Sequence, residues 1–206
     1  MADNENSFVD GNKFYILGQF NDEFNKNIIV PMTRKIEELS LLRNPVMDIY
    51  INSPGGNGYI VMHLIHLIEQ AKAKDIKVRT IVPSYAYSAG SMLAITGTKG
   101  ERYIGDTAEH LVHYGYQHGW AEYTPLQIER NAAQKKRWFE QLLNHYKKYS
   151  NIPSIEQKLK DDSYFIPTDK CIKWGLADKY MSEMSILPPT PEMLAGQPAI
   201  ATVEVK

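Results

Sequence analysis

Residues 77–95 read KVRTIVPSYAYSAGSMLAI, and how this stretch folds decides the rest of the chain. KVRTIV is a short β-branched run with the composition of a buried strand, while AGSMLAI is a run of small and apolar residues with helical character. Ser88 stands at the junction. A hydroxyl at a strand-to-helix turn is, in the commoner case, a helix cap. In the rarer case it is a nucleophile presented where a base and an oxyanion site converge. The flanking pattern A-x-S-x-G, Ala86 to Gly90, is a relative of the nucleophile elbow. Small residues belong there because the turn is tight and the N–H after the serine must face the reacting carbonyl. The pattern alone leaves both roles open.

Working outward, PVMDIYI (45–51) alternates imperfectly, as a strand covered on both faces does. NSPGG follows it, then YIVMHLIHLIEQAKAK, whose Ile60, Leu64, Leu67, Ile68 and Ala71 recur at helical spacing. Further upstream, FYILGQF predicts a strand ending near Gly18, and FNKNIIVPMTRKIEELSLL a helix interrupted or started around Pro31. Downstream of Ser88 the helix ends near Gly97 or Gly100, and ERYIG and HLVHYG predict two more strands. Repeated βα units imply parallel strands with right-handed crossovers, an α/β fold.

The second half changes character. Thr124, Pro125 and Gln127 form a capping box with proline at the first helical position. They open a long amphipathic helix whose apolar positions are Leu126, Ala132, Trp138, Phe139, Leu142 and Tyr146. A shorter helix starts near Ser154 with the same Ser-x-x-Gln cap, and TDKCIKWG predicts another ending at Gly175. The boundaries expected are a flexible segment 1–12, one domain over 13–183, and a proline- and alanine-rich flexible tail over 184–206.

Bulk composition narrows the function classes. With 23 basic and 24 acidic residues the chain has no basic excess for neutralising phosphates, so nucleic acid is not expected as a partner. The single cysteine, Cys171, cannot form an internal disulfide, and the polar, acidic start MADNENSFVDGN lacks the features of a signal peptide. No apolar run approaches the roughly 20 residues that span a bilayer. A cytoplasmic protein without a membrane partner is expected.

Two adjacent glycines after a strand, Gly55 and Gly56, expose backbone N–H groups to a ligand, or simply make a tight βα turn. The spacing is that of neither a P-loop nor a G-x-G-x-x-G dinucleotide loop. No cofactor or metal is expected. Among six histidines, His63, His66 and His145 lie on helices as packing or surface residues. His110 and His113 lie on opposite faces of a strand, where a side chain can be held rigidly, and His118 in a glycine-containing loop is held in reserve. Asp161 and Asp162 are the natural carboxylates to orient an imidazole, although adjacent acids at a helix end are usually only solvated.

Taken together, INSPGG, TIVPSYAYSAGSMLAITGTKGERY, HLVHYG, the long helix and the closing CIKWGLADK resemble the ClpP family, the proteolytic subunits of the Clp protease, from about Phe14 to Tyr180. The resemblance implies a ClpP/crotonase-like fold of repeated βα units with a protruding strand–helix handle. It places Ser88 on the nucleophile, His113 on the general base, and Gly56 and Ala89 on the oxyanion-hole donors. Counting forward from His113 puts Asp162 on the catalytic acid, with Asp161 in reserve, whereas counting back from Gly175 and Phe165 puts Ser163 there. Tyr85 and Tyr87 depart from the small or polar residues usual before the nucleophile. The segment before the first strand is short, so the loops that help dock a partner ATPase are expected to be reduced, as in the diverged versions that bacteriophages carry.

The implied function is a serine endopeptidase acting on unfolded polypeptides inside a homo-oligomeric chamber, two stacked heptameric rings forming a tetradecamer. ATP dependence would come through an AAA+ unfoldase. The handle, with aromatic residues Tyr114, Tyr116, Trp120 and Tyr123, is expected at the ring-to-ring contact. The alternatives are a ring subunit that has lost cleavage and a crotonase-type acyl-CoA enzyme, which needs no serine nucleophile.

Overall fold

Ile49 and Ile51 of one predicted strand, and Val78, Ile81 and Val82 of the next, are all buried, so both runs lie in the interior of a sheet. The computed structural model describes residues 7–115, 124–161 and 163–184. The chain opens with β1 (Phe8–Asp10) and β2 (Lys13–Leu17). A π-helical turn at Asn25–Ile29 then runs into α1 (Val30–Leu39), with Pro31 in the first turn, where a missing N–H costs little. There follow β3 (Val46–Asn52), α2 (Gly58–Ala73), β4 (Lys77–Val82), β5 (Tyr85–Tyr87), α3 (Ala89–Ala94), β6 (Arg102–Ile104) and β7 (Glu109–Val112). The second half supplies α4 (Pro125–Tyr149), α5 (Ile155–Lys160), β8 (Tyr164–Pro167), α6 (Thr168–Lys173) and β9 (Lys179–Tyr180).

The larger sheet runs β1-β2-β3-β4-β6-β9 and is parallel apart from the β1–β2 hairpin. Part of the stretch expected to be flexible, Phe8–Asp10, is thus an edge strand. Its Phe8 ring stacks on Tyr15 at 4.5 Å, and Tyr15 on Tyr50 at 4.9 Å. The smaller sheet runs β5-β7-β8, with β5 parallel and β8 antiparallel to β7. Together with the helices this is the α/β architecture expected of the ClpP fold.

The helix after the glycine turn is the main cover of the larger sheet. Asn57 caps it by accepting the Tyr59 N–H at 2.9 Å, and Ile60, Val61, Leu64, Ile65, Leu67, Ile68 and Ala71 are buried. Full burial of each large side chain stabilises the fold by about 1.5–3 kcal/mol. That face is broad because α2 also meets α1 and α3.

Two expectations about the later helices need correction. The Thr124–Gln127 capping box is present, but Ser154 makes no capping bond. Its backbone is left-handed, φ 50° and ψ 41°, rather than the extended conformation that aims a capping oxygen at the first turn. In α4 only the later apolar positions are core: Leu142, Leu143 and Tyr146 are buried, whereas Leu126 and Ile128 are 54% and 57% exposed. The first turns of α4 are therefore exposed, as expected of the helical part of a handle, and further along Gln134 donates to the Tyr59 hydroxyl and the Lys135 carbonyl accepts the Tyr114 hydroxyl, both at 2.8 Å. His118, Asp162, Tyr116, Trp120, Tyr123 and the tail from residue 185 lie outside the described residues.

Candidate active site

Ser88 has φ 53° and ψ −118°, outside the regions that an L-residue ordinarily occupies. Such backbone costs on the order of 1–3 kcal/mol and persists only where its surroundings hold it. Here they do. The Ser88 N–H donates to the Leu111 carbonyl at 2.9 Å, directly after the Tyr87–Leu111 pair of β5 and β7. From the other side the glycine turn presses on the elbow. A Cβ on Gly55 would lie 2.7 Å from the Ser88 Cβ and 3.1 Å from the Ala89 nitrogen.

The same turn is pinned at Ser53, Gly55 and Asn57. Ser53 Oγ donates to the Gly18 carbonyl at 2.6 Å and accepts the Gly55 N–H at 3.1 Å, and the Asn57 N–H donates to the Phe20 carbonyl at 3.0 Å. Gly56 sits between with φ 135°, and a Cβ there would meet the Phe20 backbone. The turn thus abuts the first turn of α3, where helix geometry leaves the Ala89 N–H without an intrahelical acceptor.

The helix-cap reading of Ser88 is not what the geometry shows. Its side chain makes no capping bond to α3; the hydroxyl lies 2.7 Å from Nε2 of His113. With the imidazole proton on Nδ1, the Ser88 O–H donates to Nε2. Both residues are half-buried, open on one side. His113 continues directly from β7, and an open groove lined by Tyr114, Lys135, Lys136, Phe139 and Lys160 begins one residue further on.

The other described histidines are elsewhere. His63 and His66 are exposed on α2. His145 is buried, with Nε2 3.0 Å from the Met92 carbonyl, and burial pushes its imidazole down to about 4. His110 is hydrogen-bonded to Ser91.

Of the candidate acids, Asp161 is exposed at the end of α5, Ser163 is exposed just ahead of β8, and Asp162 lies between them outside the described residues. Strand register brings the start of β8 to the His113 end of the sheet: Tyr164 pairs with Val112, so Ser163 arrives beside His113.

Tyr87, one of the unexpected tyrosines, hydrogen-bonds Glu109 across the β5–β7 pair and meets Phe165 of β8 edge-on at 5.7 Å. Burial, with help from the Glu109 carboxylate, raises its phenol to about 12. The sequence names Gly55 only as one of two exposed N–H groups, not as the residue whose missing side chain makes room for the Ser88 Cβ, and it passes over Ser53. A serine two residues before the glycine it accepts from is the signal that could have found the latter.

Residues 9–184 match the sequence pattern of the Clp protease family. The chain belongs to the Clp protease family. It is 31% identical over 155 residues, 72% of either chain, to the ATP-dependent Clp protease proteolytic subunit of Deinococcus radiodurans. Clp protease membership makes the chain a protease and implies a Clp-type oligomeric assembly. No helix among the described residues of this Clp protease is long and apolar enough to cross a membrane.

Proposed function

We propose that this Clp protease is a serine endopeptidase in which Ser88 attacks the peptide carbonyl, His113 takes the serine proton, and Asp162 holds the imidazolium. The observation that carries the reading is the 2.7 Å contact between a strained serine and an imidazole at a strand-to-helix elbow. Attack forms the bond from Oγ to the carbonyl carbon and puts negative charge on its oxygen, within reach of the Gly56 and Ala89 N–H groups. Protonation of the leaving amine by His113 then breaks the C–N bond and leaves an acyl-serine. Water, deprotonated by the same imidazole, hydrolyses the ester. An acyl-CoA enolate site would need the donors but neither the serine nor the imidazole.

An extended substrate would lie against the β7 end and the glycine turn, held through its backbone, so that many sequences are accepted. Stacked heptameric rings enclosing the sites, and an AAA+ unfoldase feeding them, fit the Clp protease assembly and a protease of low selectivity. The test is hydrolysis of a fluorogenic peptide together with fluorophosphonate labelling. Wild type should cleave and be labelled at Ser88, and Ser88→Ala should lose on the order of 10⁴- to 10⁶-fold in kcat. Equal turnover by wild type and Ser88→Ala would end the reading.

A further inference from the structure

One helical turn past the nucleophile and three residues before the base, a second serine meets a second histidine. Ser91 Oγ lies 2.9 Å from Nδ1 of His110. The two are 0% and 1% exposed, too deep to touch a substrate. Around them are mostly apolar or aromatic neighbours: Ala86 and Ile166 flank His110 in the smaller sheet, Cys171 approaches the His110 backbone, and the Tyr146 phenol reaches the Ser91 hydroxyl, while the buried Arg102 guanidinium is the charge that acts on the imidazole. Burial pushes the His110 imidazole down to about 3, so the pair is neutral at working pH. Placing a polar pair in such surroundings costs stability that two apolar side chains would not. What the pair supplies and apolar contact does not is direction.

We propose that the Ser91–His110 hydrogen bond is a positioning device for acyl transfer: it fixes the roll of α3 against β7 and so holds the Ser88 hydroxyl on His113. The inference rests on the serine peptidase reading. α3 is only six residues, Ala89 to Ala94, all buried and none charged. Its C-terminal end is tied through carbonyls, Ala94 accepting from Thr80 at 2.7 Å and Met92 bonded to His145 at 3.0 Å, so what remains to be set is the end that carries the nucleophile. The Ser88 N–H bond to Leu111 fixes one point, and Ser91–His110 fixes a second, one turn along the same helix and on the same strand. At a Cα radius of about 2.3 Å, a roll of ~20° moves a helical residue by ~0.8 Å, and a misplacement of about 1 Å can cost 10²-fold in rate.

The test compares Ser91→Ala, His110→Leu, His110→Asn and the Ser91→Ala/His110→Leu double variant. The readouts are thermal unfolding, kcat and KM on the fluorogenic peptide, and the rate of fluorophosphonate labelling of Ser88. Ser91→Ala and His110→Leu should each lower kcat and labelling by about tenfold with KM within about twofold. The double variant should be no slower than either single one. His110→Asn, which keeps a polar atom near the Nδ1 position, should recover to within about threefold of wild type. Should His110→Leu fail to fold, Ser91→Ala, which removes one oxygen, decides alone. Variants that lose only thermal stability, or keep kcat and labelling within about twofold of wild type, overturn the positioning role while leaving the serine mechanism standing. A wild-type protein that is not labelled at Ser88 overturns both.

Discussion

Gly55 and Ser88 share a space that holds only one side chain: a Cβ on Gly55 would sit 2.7 Å from the Ser88 Cβ and 2.9 Å from the Tyr87 carbonyl. Neither obstacle is the far end of a flexible chain, so Gly55→Ala must displace the elbow. Its φ of 101° adds backbone strain. The expected result is a fall in kcat and fluorophosphonate labelling of at least about 10²-fold. Gly11→Ala is the control, since that glycine also has positive φ, 59°, but nothing within 4 Å. It should cost about 1 kcal/mol in urea unfolding and leave activity unchanged.

The acid is separable by a three-residue scan. If Asp162 orients His113, Asp162→Asn should lower kcat by about 10³- to 10⁴-fold with KM little changed. Asp161→Asn and Ser163→Ala should stay within about threefold. A loss that follows Ser163→Ala or Asp161→Asn would move the acid along the chain.

Stability should fall between pH 7 and pH 5 because two buried imidazoles resist protonation. Burial holds His110 at about 3 and His145 at about 4, below the ordinary imidazole value. The unfolded chain therefore takes up protons first as pH falls through about 6.5. Stability present above that pH is lost progressively below it, by about 2 kcal/mol per imidazole at pH 5 and about 4 kcal/mol for both. Urea midpoints across this range should show the slope, and His145→Leu should roughly halve it. A flat profile would contradict the assignment.

Asp178 closes a buried charge network. Its carboxylate accepts Arg102 Nε at 2.7 Å and Nη2 at 2.6 Å, together with the Gly100 N–H at 2.7 Å, while Arg102 Nη1 also donates to the Tyr149 carbonyl at 2.9 Å. Burial alone would raise the carboxyl, but the Arg102 and Lys99 bonds prevail and hold it well below its ordinary range. Asp178→Asn leaves Arg102, 2% exposed, without its counter-charge. A loss of about 3–5 kcal/mol is expected in chemical unfolding. In wild type this contribution is complete above the ordinary carboxylate pKa and is lost as pH falls toward the lower folded value.

The exposed first half of α4 should matter for assembly and not for the fold. Leu126→Glu with Ile128→Glu places two charges on positions that are more than half exposed. Sedimentation should show a smaller particle than wild type, with the far-ultraviolet spectrum unchanged. Particles of equal size would remove α4 from the assembly contact.

The elbow at Ser88 and the glycine turn were legible as local patterns, whereas His113 was one of several candidate histidines and was singled out only by the family resemblance. β5, β8 and β9 were not legible, because they span two to four residues, too few for a period of two to show. Ser154 satisfied the cap motif but not the backbone conformation the motif presumes. The Ser91–His110 contact was hidden for another reason. Nineteen residues separate the partners, and only the packing of α3 on β7 reveals that they face each other. The alternation sets His110 on the opposite strand face from His113, yet nothing in the spacing indicated what it would meet.

The smaller sheet is stitched from distant parts of the polymer: β5 joins β7 across more than twenty residues, and β8 joins β7 across more than fifty. Contacts of such long sequence separation close late. A nascent chain emerging from the ribosome through residue 113 already carries the alcohol and the imidazole, but not the strand that delivers the acidic segment. On the serine peptidase reading, cutting power is therefore acquired only after residue 167 has been added, and a shorter chain is poorly equipped to digest its neighbours.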